Sequence, residues 1–136
     1  MAELRKKKIL CIEDDPEAAA LIAEELVERG YEVLVARDGR EGFAAILKNM
    51  PDLVLSDISM PVMNGLEAAS LITRQHPQIP VILFSLHLSD DLYRHFNTDG
   101  IRGAVAKGDA ARDLVLAVQT VLSGGTFFPG KKSGSN

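Results

Sequence analysis

Short apolar runs alternate along this chain with longer segments in which apolar residues recur at helical spacing. Five apolar runs predict β-strands over 8–12, 32–36, 53–56, 81–85 and 103–106. Five segments with apolar residues three and four positions apart predict helices over 17–29, 39–49, 65–75, 90–97 and 111–123. Gly30 follows the first of these helices and is expected to be its C′ residue, where a left-handed conformation is common.

The alternation of strands and helices indicates the fold class. Nearly continuous apolar strands are typical of a parallel sheet that is buried on both faces. Right-handed crossovers between parallel strands leave few topologies. We therefore predict an α/β fold, a doubly wound (βα)5 five-stranded parallel sheet with the flavodoxin-like strand order 2-1-3-4-5. The 136 residues fit one domain over 5–124, and the Gly-, Lys- and Ser-rich segment 125–136 is expected to be a flexible tail or the start of a linker.

The charge balance, the length of the apolar runs and the single cysteine argue against nucleic-acid binding, a membrane span and an internal disulfide. Fifteen basic and nineteen acidic residues give a net charge of −4, which argues against direct nucleic-acid contact, because phosphate contacts need clustered Lys and Arg. No apolar run approaches the roughly 20 residues of a membrane span, and the N-terminus lacks the apolar core of a secretory signal. Cys11 is the only cysteine, which excludes an internal disulfide, and it is expected to be a small buried hydrophobe. A cytoplasmic protein without membrane contact is expected.

Polar residues follow four of the predicted strands. In a sheet of this kind the functional site lies beyond the carboxyl ends of the strands. The acidic run 13–15 follows the first strand, Asp57 follows the third, Ser85 ends the fourth and Lys107 follows the fifth. We therefore expect carboxylates, a hydroxyl and an ammonium group to meet at one edge of the sheet.

The acidic run after the first strand indicates a cation site. Adjacent carboxylates repel one another, and Mg²⁺ relieves this because it takes oxygen ligands while keeping several waters. Asp15 precedes Pro16, a pattern typical of a helix N-cap, so Glu13 and Asp14 are left as the pair that holds the cation. The loop is acidic rather than glycine-rich, which weakens a flavin or nucleotide hypothesis. No pair of histidines has the spacing of a zinc site.

The sequence Asp-Ile-Ser-Met-Pro-Val-Met-Asn-Gly at 57–65 resembles the D-x-x-M-P-x-M-[DN]-G signature of two-component receiver domains. With the acidic pair, the serine and the lysine at the strand ends, the resemblance extends over residues 8–124. It implies a phosphoacceptor, Asp57, and a phosphoryl-binding hydroxyl and ammonium group, Ser85 and Lys107. It also implies a Mg²⁺ site formed by Glu13 (mainly through water), Asp14, Asp57 and the backbone carbonyl of Ser59.

The same resemblance implies a function. The chain would be a phosphoacceptor signalling module, charged in a Mg²⁺-dependent reaction by a histidine kinase or phosphotransfer protein, and not a turnover enzyme. Phosphorylation would switch the surface seen by an output domain or partner, and a homodimer could form through the face of the fourth and fifth predicted helices. The segment 121–129 resembles the receiver end of regulators that continue into a helix-turn-helix DNA-binding domain. The kind of output stays open.

Two alternatives and three departures from the family pattern qualify this hypothesis. The chain could be a receiver-like interaction domain that works without phosphate, or an aspartyl-nucleophile phosphatase, although such phosphatases usually carry Asp-x-Asp after the first strand.

Ala104 stands where many receivers have an aromatic residue, and Gly108 where proline is common. Leu86 stands where a small residue is usual, so we expect slow phosphoryl exchange. His87 either tunes the access of water or is an exposed loop residue.

Overall fold

The computed structural model of the chain describes residues 5–57, 65–85 and 100–128, with the backbone alone over 65–68. The strands are β1 (Lys8–Ile12), β2 (Glu32–Ala36), β3 (Leu53–Asp57), β4 (Val81–Ser85) and β5 (Ile101–Ala106). The described helices are α1 (Pro16–Glu28), α2 (Gly39–Asn49), α3 (Gly65–Gln75) and α4 (Ala110–Leu122), and a short 3₁₀ turn, Lys107–Asp109, precedes α4. The fourth helix predicted from the sequence, over 90–97, lies outside the described residues, so α4 corresponds to the fifth predicted helix.

The five strands form one parallel sheet in the order β2-β1-β3-β4-β5. This confirms the predicted topology. β1, β3 and β4 lie inside the sheet, and β3 and β4 are buried along their whole length. A strand covered by neighbours on both edges and by helices on both faces has no solvated side, which is why these segments are almost wholly apolar.

The four described helices cover the two faces of the sheet in pairs. On one face the buried side chains of α2 and α3, such as Ile46 and Ile72, pack on the sheet. On the other face Leu26 of α1 and Val118 of α4 form a second cluster, which also contains Cys11. Burying a side chain of this size contributes about 1.5–3 kcal/mol, so these buried residues hold the helices on the sheet.

Local signals place the helix ends where the sequence indicates. Asp15 is the N-cap of α1, and its Oδ1 accepts a hydrogen bond from the backbone N–H of Glu17 at 3.1 Å. Asp38 caps α2 by accepting from the N–H of Glu41 at 2.9 Å. Gly30 follows α1 with φ +96°, which confirms its predicted C′ position.

The segment after α4 differs in part from the expected flexible tail. Phe127 forms a parallel bridge with Gly103, and the backbone of Phe127 bonds to Arg102 and Ala104 on the outer edge of β5. The side chains of Phe127 and Phe128 pack against the two core clusters. Phe127 and Phe128 are therefore attached to the sheet and its core, whereas residues 129–136 lie outside the described residues.

Candidate functional site

Four strand ends meet at one edge of the sheet. Glu13 directly follows β1 and donates its backbone N–H to Ala36 O at 2.9 Å, so it continues the strand direction. Asp57 ends β3, Ser85 ends β4, and Lys107 follows β5. These are the positions at which the sequence predicted a site, and the structure brings Lys107 within ion-pair distance of Glu13 and Asp57 there.

Three carboxylates form a cluster at this edge. One carboxylate oxygen from each of Glu13, Asp14 and Asp57 lies within 4.8 Å of the other two. Glu13 and Asp57 are buried, with 1% and 2% of their surface exposed, whereas Asp14 is exposed to solvent. Two buried carboxylates and an exposed one therefore share a space that a single hard cation could span.

Glu13 carries an unsatisfied oxygen. Its Oε2 accepts a hydrogen bond from the backbone N–H of Asp15 at 3.1 Å. Among the described residues, its Oε1 is the buried side-chain oxygen that has no hydrogen-bond partner, although Lys107 Nζ lies at ion-pair distance, 3.4 Å. Burial, followed by the neighbouring Asp57 carboxylate, raises the pKa of Glu13 to about 7. An unsatisfied buried oxygen in a cluster of negative charge fits a divalent cation at this point, so the residues present suit Mg²⁺.

Lys107 supplies positive charge to the same cluster. Its Nζ donates a hydrogen bond to Asp57 Oδ2 at 3.0 Å, and its side chain is one-fifth exposed. Burial alone would lower the pKa of Lys107, but Asp57 and Glu13 together outweigh burial and raise it, so the ammonium group stays charged. The Nζ also lies 5.6 Å from the centre of the Phe84 ring, within the range of a cation–π contact.

Some of the other predicted site residues lie within the described part of the chain, and some do not. Ser85 is buried at the end of β4, and its strand neighbour on β5 is Ala106. Asp15 is a capping residue, as predicted, and not one of the clustered carboxylates. The predicted carbonyl ligand Ser59, together with Leu86 and His87, lies outside the described residues.

Two of the three departures lie within the described residues. Ala104 is fully buried in the core of β5. Gly108 lies in the 3₁₀ turn, where a Cβ would meet nothing within 4 Å, so a larger residue would fit there. Sequence reasoning missed the ring of Phe84 beside Lys107; its position next to Ser85 at the end of β4 was the available signal.

Comparisons with known proteins agree on the family. The model for the response regulator receiver domain matches residues 9–119. The transcriptional regulatory protein LnrK of Bacillus subtilis is 37% identical over 97 residues, 71% of this chain and 44% of that protein. DegU of Brevibacillus brevis is 31% identical over 103 residues, 75% of this chain and 44% of that protein. The chain thus spans less than half the length of these relatives.

Solved structures with the same fold point in the same direction. The chemotaxis protein CheY4 of Vibrio cholerae is 27% identical, with a TM-score of 0.79 over 85% of this chain and 98% of that one. The response regulator TrrA of Thermotoga maritima, in complex with Mg²⁺ and BeF, is 31% identical, with a TM-score of 0.71 over 83% of this chain and 96% of that one. No helix within the described part of the chain is long and apolar enough to span a bilayer.

Proposed function

This chain belongs to the response regulator receiver family of two-component signalling, and on that premise we propose that Asp57 accepts a phosphoryl group from a phosphohistidine. The donor is a histidine kinase or a phosphotransfer protein. The family consists of signalling domains, so the phosphorylated chain is itself the signal and no separate substrate is turned over. Phosphorylation of Asp57 then alters the surface that contacts an output domain or partner.

The observation that carries this proposal is the position of Asp57 Oδ2, buried at the end of β3 and 3.0 Å from Lys107 Nζ. A carboxylate can act as the nucleophile toward phosphorus and form an acyl phosphate. An oxygen–phosphorus bond to Asp57 forms as the phosphorus–nitrogen bond of the phosphohistidine breaks, and the departing imidazole nitrogen keeps the electron pair. Lys107 stabilises the negative charge on the transferring group.

Glu13, Asp14 and Asp57 would hold Mg²⁺, with the Ser59 carbonyl as a further ligand. When bound, the ion supplies positive charge that offsets the phosphoryl oxygens and the clustered carboxylates. The unsatisfied Glu13 Oε1 supports this assignment, as does the Mg²⁺ in the related TrrA complex.

The phosphoryl group would be read by Ser85 and Lys107. Charge-assisted hydrogen bonds contribute on the order of 1.5–3 kcal/mol each, so two made in only one state give roughly 3–6 kcal/mol. Moving an equilibrium from 1:99 to 99:1 requires about 5.5 kcal/mol. Two such bonds can therefore bias this equilibrium strongly, and they approach the full shift only at the upper end of the range, where neither bond has an equivalent in the unphosphorylated state.

The relatives suggest the output. LnrK and DegU are transcriptional regulatory proteins, and this chain matches less than half of each. We propose that the chain is a cytoplasmic receiver that controls an output domain or partner protein of that kind without contacting nucleic acid itself. A phosphorylation-dependent homodimer through the fourth and fifth predicted helices is compatible with this role.

Intact mass spectrometry tests the proposal. The protein is incubated with Mg²⁺ and acetyl phosphate, with Asp57→Ala as the test variant and Asp109→Ala, an exposed acid near the same edge, as the matched control. One phosphate adduct is expected on the wild type and Asp109→Ala, and none on Asp57→Ala or in excess EDTA. Absence of an adduct with both acetyl phosphate and a cognate kinase would instead support the domain that works without phosphate.

A further inference from the structure

The segment 126–128 is joined to β5 on its outer edge, and β5 is the strand that leads into Lys107. The Phe127 N–H donates to Arg102 O at 2.9 Å, and the Ala104 N–H donates to Phe127 O at 2.8 Å. These two bonds extend the sheet beyond its edge strand by one short parallel bridge. The second bond lies three residues before Lys107 in the chain.

The contact between segment 126–128 and β5 is closely packed. A Cβ on Gly103 would lie 3.0 Å from Phe127 O and 3.5 Å from Val121, so the glycine provides the space for close backbone approach. The Phe127 side chain packs against the cluster on the α4 side, and the Phe128 side chain packs against the opposite cluster. The segment therefore clamps the edge of the sheet from both faces.

The segment is also fixed to α4, so it cannot simply follow β5. Gly124, with φ +100°, donates its N–H to Val121 O at 2.9 Å, and Gly125 donates to Thr120 O at 3.0 Å. A Cβ on Gly125 would lie 3.2 Å from Thr120 Cγ2, which shows how closely this turn lies against the helix. The docked geometry thus requires α4 and β5 to keep one relative position.

The strand β5 is held by packing at its N-terminal end and is linked to the candidate site at its C-terminal end. Gly100, with φ +97°, accepts a hydrogen bond from the Val81 N–H at 2.8 Å, and a Cβ on it would lie 2.7 Å from Thr73 Cγ2. At the far end, Lys107 is held by Asp57 and Glu13. The pairing of β4 with β5 shifts register between Val81 and Ile82. This irregularity gives β5 a point at which to bend.

We propose that docking of segment 126–128 on β5 is coupled to the state of Asp57 and is loosened by phosphorylation. This inference rests on the proposed function. A phosphoryl group on Asp57 places new oxygens beyond Oδ2, and in this coupling Lys107 Nζ moves from its present position, 3.0 Å from Oδ2, to bond them. The far end of β5 moves with Lys107, whereas the segment stays tied to α4, and the two backbone bonds between them are weakened. Phosphorylation is thereby transmitted to the chain that follows residue 128.

Residue-resolved amide hydrogen exchange tests the proposal on the full chain. Samples with and without Mg²⁺ and acetyl phosphate are compared, and intact mass verifies the phosphate adduct in each. Exchange of the Ala104 and Phe127 amides is expected to become roughly five- to tenfold faster in the phosphorylated protein, a coupling of ordinary size. The amide of Met50, which bonds to Ile46 O at the end of α2, serves as the internal control. Unchanged exchange in a verified adduct would overturn the coupling, whereas absence of the adduct would overturn the proposed function.

A variant pair tests the coupling in the reverse direction. Phe127→Pro removes the N–H that bonds Arg102, and Phe127→Leu keeps it. Because coupling is reciprocal in equilibrium binding, Phe127→Pro should bind beryllofluoride with Mg²⁺, a stand-in for the phosphoryl group, roughly five- to tenfold more tightly. Phe127→Leu should stay close to the wild type, and Gly103→Ala, a milder change on the β5 side, should shift affinity in the same direction as Phe127→Pro. Equal beryllofluoride affinity in the wild type and in the folded Phe127→Pro and Gly103→Ala variants would show that the segment is a static cover of the sheet edge.

Discussion

Lys107 Nζ lies 3.0 Å from Asp57 Oδ2 and so joins the end of β3 to the end of β5 across β4. The same ammonium group lies 3.4 Å from Glu13 Oε1, and therefore one cation stands between two buried carboxylates. Removing a partner from a buried ion pair is costly because it leaves uncompensated charge.

Lys107→Met should destabilise the Mg²⁺-free protein. Methionine keeps much of the side-chain volume but leaves Glu13 and Asp57 facing each other, and we expect a loss of about 1–3 kcal/mol in the free energy of unfolding. Urea denaturation in EDTA measures it, with Lys48→Met on the exposed surface of α2 as the control. Saturating Mg²⁺ should reduce the loss, and a loss that is the same with and without Mg²⁺ would contradict a shared cluster.

Glu13→Gln should make the Mg²⁺-free protein more stable at pH 8. The pKa of Glu13 is raised to about 7 by burial and by Asp57, above the ordinary value of 4.5. Between these values the native state binds more protons at this residue than the unfolded state, so its contribution to stability increases as pH falls from about 7 to 4.5. Above pH 7 the native state carries the full cost of the buried charge.

The measurement compares Glu13→Gln with the wild type by urea denaturation in EDTA at pH 5 and pH 8. The gain in stability should be clear at pH 8 and much smaller at pH 5, while the affinity for Mg²⁺ should fall. Glu17→Gln, in the first turn of α1, is the control for loss of an exposed acid near the site. An equal difference from the wild type at both pH values would argue against the raised pKa.

Asp15→Ala should separate helix capping from the metal site. Loss of the bond from the Glu17 N–H to Asp15 Oδ1 is expected to lower stability by about 1 kcal/mol. Phosphate incorporation from acetyl phosphate at saturating Mg²⁺ should persist. Asp14→Ala should show the opposite pattern, with near-normal stability and weak Mg²⁺ binding, as measured by titration. A larger loss of Mg²⁺ affinity in Asp15→Ala than in Asp14→Ala would reverse these two roles.

Two glycines with nearly the same φ should respond differently to alanine. Gly30 and Gly100 have φ +96° and +97°, so each substitution carries a similar strain of roughly 1 kcal/mol. A Cβ at Gly30 meets nothing within 4 Å, whereas one at Gly100 would lie 2.7 Å from Thr73 Cγ2. Thermal denaturation should therefore show a clearly larger loss for Gly100→Ala, and equal losses would mean that Thr73 moves aside at little cost.

The fold was largely predictable because its inner strands are buried on both faces. Such burial leaves a continuous apolar run like 81–85, whose bounds agree with β4 as observed. The meeting of Asp57 and Lys107 at one edge followed from parallel strands, since the carboxyl ends of such strands lie together. These relationships depend on local patterns and on a topology with few alternatives.

Other features depend on contacts distant in sequence. Glu13 and Asp14 are adjacent acids, yet one is buried and the other exposed, because Glu13 continues the β1 ladder by bonding to Ala36. The docking of Phe127 requires the space at Gly103, and no local pattern joins these two positions. The prediction of slow phosphoryl exchange from Leu86 concerns a residue outside the described ones and stays a prediction.

The buried position of Cys11 has a practical consequence for spectroscopy. Its side chain is 1% exposed near the carboxyl end of β1, and burial, with Glu13 and Asp57 nearby, raises the pKa of the thiol to about 12. A thiol that is neither accessible nor ionised reacts slowly with maleimides and methanethiosulfonates. A cysteine introduced at an exposed position such as Lys48 would thus accept a fluorophore or spin label selectively, without first replacing the native cysteine.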